Sequence, residues 1–179
     1  MVELNEFTQI KGTSKQIVDY WKWAYSNINT NSERGIFAEF LVGSALGTLG
    51  TGRVEWDIAD VEYRRKLIEV KSSAFVQEWE QKKLSVPQFN IAKKYEFGEY
   101  TTSRDRHAQI YIFALLFEKV RNIMDPLNIE QWEFYILSTK NINEHFGVQK
   151  SVSLKPLKNV CHPVNYDDIK SVVDEIIDN

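Results

Sequence analysis

The run Ile110–Phe117, inside AQIYIFALLF, constrains the fold of this chain more than any other stretch. Apolar residues that follow one another without alternation need cover on both faces. That is the position of a central strand in a sheet packed between two layers. The run is far too short to cross a bilayer. A buried strand of this kind predicts an α/β layer sandwich around a mixed sheet. With 179 residues the chain has the length for one such domain and a substantial core.

The remaining elements follow from spacing and punctuation. Ile17, Tyr20, Trp21 and Ala24 recur at helical intervals and predict a helix over Gln16–Asn27. Ser32 is placed to cap a second helix, ERGIFAEFLVGSALG, with Glu33 in its first turn and Gly47 and Gly50 closing it. Arg53–Tyr63 and Lys66–Ser73 read as a strand pair turning near Arg64-Arg65. Glu78–Lys83 reads as a short helix or loop, and LSVPQFNIA as a strand that Pro87 confines to an edge. QWEFYILS is a further strand behind the Asp125-Pro126 turn. Asn165 or Asp167 caps a last amphipathic helix through Ile169, Val172, Val173 and Ile176. The expected order is therefore α-α-β-β-β-β-β-α. No repeat, low-complexity tract or Gly/Ser/Pro-rich linker divides the chain, so residues 1–179 read as a single domain.

Several function classes are disfavoured. MVELNEFTQIKG has neither the basic start nor the apolar block of a signal peptide, which leads to an expected cytoplasmic location without membrane partners. The single cysteine, Cys161, permits no internal disulfide and no multi-cysteine zinc site. His107, His145 and His162 are scattered, without the spacing that sets two imidazoles on one helix face. Cys161-His162 reads as an unremarkable thiol beside an unrelated imidazole.

A different pattern carries chemistry. In Leu67-Ile68-Glu69-Val70-Lys71 the alternation of a strand puts Glu69 and Lys71 on one face, ~7 Å apart along the chain. Asp57 lies between Trp56 and Ile58 on the preceding segment, within reach of Glu69 if the two strands form a hairpin. Two carboxylates held together repel unless a cation lies between them or one takes a proton. Hard oxygen ligands suit Mg²⁺, which keeps several waters as well. A lysine beside such an ion can orient a water or face developing charge, the requirements for metal-assisted hydrolysis of a phosphodiester. An isolated E-x-K on a strand is most often a solvated face; the neighbouring Asp57 and the helix upstream raise its weight.

Asp57, eleven intervening residues, then Glu69-Val70-Lys71 resembles the signature of the PD-(D/E)xK nuclease superfamily, the restriction-endonuclease-like fold. RGIFAEFLVGSALG resembles the helix that precedes the motif in many members, with Glu39 at the position of a glutamate that faces the metal. Gly35 and Gly43, a turn to either side, would let that helix lie close to the sheet. Trp56 stands where many members carry proline. The resemblance implies a core αβββαβ, a mixed central sheet flanked by helices, over residues of about 32–140, with the N-terminal and C-terminal helices as additions. It also implies that Asp57, Glu69 and the Val70 carbonyl hold Mg²⁺, with Mn²⁺ able to substitute. Glu39 would then be an accessory ligand and Lys71 would position or activate the attacking water. Asp60 is the alternative to Asp57; hairpin geometry and apolar neighbours favour Asp57.

The expected substrate is DNA. A net charge of −3 hides an uneven distribution, with ten Lys/Arg against seven Asp/Glu from Glu62 to Arg106 and an acidic C-terminal stretch. Candidate phosphate contacts are Arg64, Arg65 and Lys66 at the turn, then Lys82 and Lys83, Lys93 and Lys94, and Arg104 and Arg106. Ser72, Ser73 and Gln77 follow the strand and are candidates for lining the cleft. Interleaved Trp79, Phe89, Tyr95, Phe97 and Tyr100 read first as packing residues and second as bases' stacking partners. Three functions compete: a Mg²⁺-dependent endonuclease, restriction-type among its candidate roles; a nucleic-acid-binding subunit that kept the fold and lost the chemistry; and a structural domain with an ordinary salt-bridge network. Cutting both strands with one site per chain would call for a symmetric homodimer.

Overall fold

The computed structural model describes residues 4–50, 59–95 and 104–179. Helix α1 (Ile17–Tyr25) begins where Asp19 Oδ2 accepts the Gln16 N–H at 2.9 Å, and it buries none of its residues. Helix α2 (Asn31–Leu46) is capped by Thr30, whose Oγ1 accepts the Glu33 N–H at 3.1 Å. The expected cap, Ser32, is already inside the first turn. Thr30 holds the extended backbone a cap needs, so the start lies two residues earlier than read. At the other end Gly47, with φ of +71°, turns the chain and donates its N–H to the Ser44 carbonyl. Arg34, Ala38, Leu41, Val42 and Leu46 make the buried stripe of α2.

Strands β1 (Val61–Tyr63) and β2 (Lys66–Ala74) form the predicted hairpin, in the register Tyr63↔Lys66 and Val61↔Ile68. Its two turn residues, Arg64 and Arg65, have φ of 49° and 62°. Two successive left-handed residues match the right-handed twist of the strands, although glycine and asparagine are the usual occupants. Residues 53–58, the first part of the expected strand and the site of Asp57, lie outside the described residues.

Strand β2 then pairs in parallel with β4 (Ile110–Leu116), and β4 pairs antiparallel with β5 (Trp132–Ser138). Among the described residues the sheet is mixed, four-stranded and ordered β1-β2-β4-β5. As its apolar run demands, β4 is interior and buried at every residue. The expected edge strand around Pro87 contracts to β3 (Gln88–Asn90), which leaves this sheet and pairs with β6 (Ser151–Ser153). Helix α3 (Thr139–Phe146) follows β5 directly, α4 (Leu154–Lys158) follows β6, and α5 (Ile169–Asp178) ends the chain after a short 3₁₀ turn.

Two cores sandwich the sheet. On one face Ile68, Val70, Ile112, Ala114 and Phe134 pack against α2 and α5. On the other, Tyr111, Phe113, Leu115, Tyr135 and Leu137 meet α3, α4 and the β3–β6 ribbon. The C-terminal helix joins the hydrophobic core through Ile169 and Val173. One difference from the αβββαβ order concerns the crossover from β2 to β4. Its described residues form β3 and no α-helix, and Phe89 and Ile91 supply the apolar cover of that face. Among the described residues no helix is long and apolar enough to cross a membrane.

Candidate active site

The short hairpin creates the site. Residues 61 and 68 are opposite one another, so continuing the register sets Asp60 opposite Glu69. The Leu67 carbonyl accepts from Gln109 N on the β4 side. Alternation along β2 therefore turns the N–H and C=O of Val70 toward the β1 side. There Asp60 Oδ2 accepts the Val70 N–H at 2.7 Å, a side chain standing in for a ladder bond. Lys71 Nζ lies 2.5 Å from Glu69 Oε1 and 3.7 Å from Asp60 Oδ2, so one ammonium ties the two carboxylates together.

The two acids are tuned in opposite directions. Burial raises the Asp60 pKa, and the nearby charges of Glu69 and Glu39 add to this; Lys71 and the Val70 N–H oppose it without prevailing. Glu69 is the more enclosed of the two side chains, 6% exposed against 22%. Burial alone would raise its pKa as well, but Lys71 and Lys94 outweigh that effect and hold it below the ordinary carboxylate value. Lys94 sits 2.5 Å from the same Glu69 oxygen that Lys71 uses.

Beside this cluster a groove of about 380 Å³ runs between α2 and the strand edge, lined by Gly35, Ile36, Glu39, Val70, Lys71 and Ser72 among others. Gly35 has open space where a Cβ would stand, so it widens the groove. Gly43 serves a different purpose from the one expected: a Cβ there would meet Leu49 Cδ2 at 2.8 Å, and its small size accommodates the return of the chain after α2. Beneath the groove Arg34 is 3% exposed, and burial lowers its pKa. Its guanidinium donates to Ser72 Oγ, the Asn29 carbonyl and Asn31 Oδ1, fixing the start of α2 to β2.

No family model, curated protein or solved structure matches this chain. The donor set must therefore be judged on its own chemistry. Among the described residues no three carboxylate, imidazole or thiol side chains converge closely enough to cage a metal unaided. Mg²⁺ does not need such a cage, since it takes one or two carboxylates and completes its shell with water and phosphate oxygens. Asp60, Glu69 and the edge-directed Val70 carbonyl fit that requirement, with Glu39 at the groove.

Of the expected site residues, the structure brings Glu69, Lys71, Val70 and Glu39 to one place, and Asp60 joins them; Asp57 lies outside the described residues. The register carried this information, because a two-residue turn makes a nine-residue separation face to face.

The candidate phosphate contacts divide. Arg106 is buried, donating to the Ile91, Gly147 and Gln149 carbonyls and to Asn143 Oδ1, and so is withdrawn from any surface. Ser73 and Gln77 are also buried; Ser73 Oγ accepts the Gln88 N–H, and Gln77 Nε2 donates to the Ala74 carbonyl. Arg64 is committed to Asp174 and Asp178 on α5. Lys93 pairs with Asp105 at 3.3 Å. Arg65, Lys82, Lys83 and Arg104 are exposed, Lys66 is half-buried, and Ser72 borders the groove. Among the aromatics, Phe89 is core, Trp79 is exposed, and Tyr95 lies under the Arg104 guanidinium at 4.2 Å; Phe97 and Tyr100 lie outside the described residues. Cys161 is half-buried with its thiol pushed up to about 11 by burial, so it is no activated nucleophile.

Proposed function

We propose that this chain is a Mg²⁺-dependent endodeoxyribonuclease of the PD-(D/E)xK type, built on a restriction-endonuclease-like core. The observation that carries the reading is the convergence of Asp60, Glu69 and Lys71 at the β2 edge, beside a groove that Glu39 borders. Asp60, Glu69 and the Val70 carbonyl would hold the ion, which when bound supplies Lewis-acid polarisation of the phosphate and a more acidic water. Lys71 lies 2.5 Å from Glu69 Oε1 and within ion-pair distance of Asp60. This arrangement suits it to orient the attacking water and to face the charge that develops on the phosphoryl oxygens. Glu39 borders the groove in which the water and the scissile phosphate would meet. DNA is the proposed partner, Mn²⁺ the proposed substitute ion, and a homodimer the arrangement that would cut both strands.

Purified protein is expected to nick or cut duplex DNA with Mg²⁺ or Mn²⁺, to stop with EDTA, and to lose about 10²–10³-fold in rate in Lys71→Ala. Undiminished cutting by that variant would remove the mechanism. One observation favours a second reading. Two ammonium groups already neutralise Glu69, as a binding subunit without metal would require. Retention of DNA with no cleavage and no Mn²⁺ uptake by calorimetry would select it.

A further inference from the structure

Glu69 holds two ammonium groups on one oxygen, and the two are not equivalent. Lys71 also reaches Asp60, and its side chain is 24% exposed. Lys94 is 56% exposed and comes from a segment 25 residues along the chain. The Lys94 backbone is pinned: its N–H donates to the Asp105 carbonyl at 2.8 Å, and its own carbonyl accepts the Asp105 N–H at 2.9 Å. His107 Nε2 also lies 3.1 Å from that carbonyl. Lys94 is thus a long flexible arm on a fixed base.

We infer that Lys94 is a displaceable phosphate arm, which occupies Glu69 in the absence of a divalent ion and turns to the DNA backbone when the ion takes that oxygen. The inference rests on the nuclease reading above. Mg²⁺ bonds to carboxylate oxygens at ~2.0–2.1 Å. An ammonium at hydrogen-bond distance from the same atom would then face a double positive charge at close range, with repulsion that the half-buried setting strengthens. Lys71 has a second carboxylate to retain it, whereas Glu69 is the only carboxylate in contact with Lys94 among the described residues. The released ammonium would need an anion. Arg104, exposed and stacked on the neighbouring Tyr95, marks the same surface as basic. A phosphodiester strand reaching the groove offers the matching charge.

The test compares the whole chain with Lys94→Met and Lys94→Arg. Mn²⁺ affinity without nucleic acid is measured by calorimetry, and binding of an uncut duplex in Ca²⁺ is measured over a salt series. Lys94→Met is expected to bind Mn²⁺ severalfold more tightly than wild type, because its competitor is gone. It should bind duplex more weakly, with a log-affinity against log-salt slope reduced by about one. Lys94→Arg should restore both values toward wild type. If wild type takes up Mn²⁺ and cuts DNA while Lys94→Met matches it in metal affinity and salt slope, the arm is overturned and the nuclease reading stands. If wild type neither takes up Mn²⁺ nor cuts, both fall together.

Discussion

Glu69 and Asp60 share one lysine, yet their surroundings drive them apart. For Asp60 the folded-state pKa is raised, with burial as the largest cause, so its ionised form is disfavoured by folding. The sign follows: above that pKa the charged carboxylate subtracts from stability, and neutralising it should restore the loss. Asp60→Asn keeps an oxygen for the Val70 N–H and is expected to melt above wild type at neutral pH while losing metal-dependent cleavage. For Glu69 the folded pKa is lowered because Lys71 and Lys94 outweigh burial, so its charge contributes stability above the ordinary carboxylate range. Glu69→Gln should melt below wild type at neutral pH, and the gap should close on acidification. Thermal melts of both variants at pH 7 check the pair; a shared direction would contradict the opposed tuning. Substitution separates the two aspartates, of which Asp57 lies outside the described residues. Asp60→Ala should abolish cutting where Asp57→Ala leaves most of it, in a plasmid-nicking assay; the reverse outcome would return Asp57 to the site.

At the scale of elements, α2 and the hairpin define the site together. Thr30 caps the helix, Arg34 ties its first turn to Ser72 on β2, and the absence of a side chain at Gly35 keeps the groove open between them. Leucine at Gly35 meets no atom at its Cβ position, and within a helix it gains about 1 kcal/mol of intrinsic propensity over glycine. Gly35→Leu is therefore expected to fold at least as stably as wild type and to lose DNA cleavage by filling the groove. A melt and a cleavage assay on one preparation separate the two effects; full activity would show that the groove is not used. These elements were legible to different degrees. The periodicity of α2 and the alternation of β2 are local and survive in the one-dimensional string, and so did the turn at Arg64-Arg65. Thr30 was missed as the cap because Ser32 is an equally good capping residue, and only the backbone of Thr30 resolves the choice. Helix α3 was missed because just Ile142 and Phe146 of its eight residues are buried, too few to show a period.

In the molecule as a whole, the C-terminal helix closes on the hairpin that carries the site. Asp174 of α5 accepts from Lys170, from Arg64 at the turn and from Tyr63 of β1. Lys170 first, then Arg64, hold its pKa down at about 2, below the ordinary 3.8. With the folded value depressed, the stabilisation is complete above the ordinary value and disappears as the pH falls through about 2. Wild type should thus melt above Asp174→Asn at pH 5–7, and the two should converge as the pH approaches the folded-state value; a constant gap would exclude this ion-pair network as the cause. The effect is modest, since surface pairs of this kind are screened by water and salt. Sequence alone determined the central buried strand, the tight hairpin, and the presentation of Glu69 and Lys71 on one face, because each is written in the periodicity of neighbouring residues. Tertiary structure alone decided that Lys94 reaches Glu69, that Arg106 turns inward, and that Arg64 answers to α5. Those outcomes depend on distances between segments far apart in the chain, where a basic residue has the same composition whether it meets solvent, a carboxylate or a carbonyl.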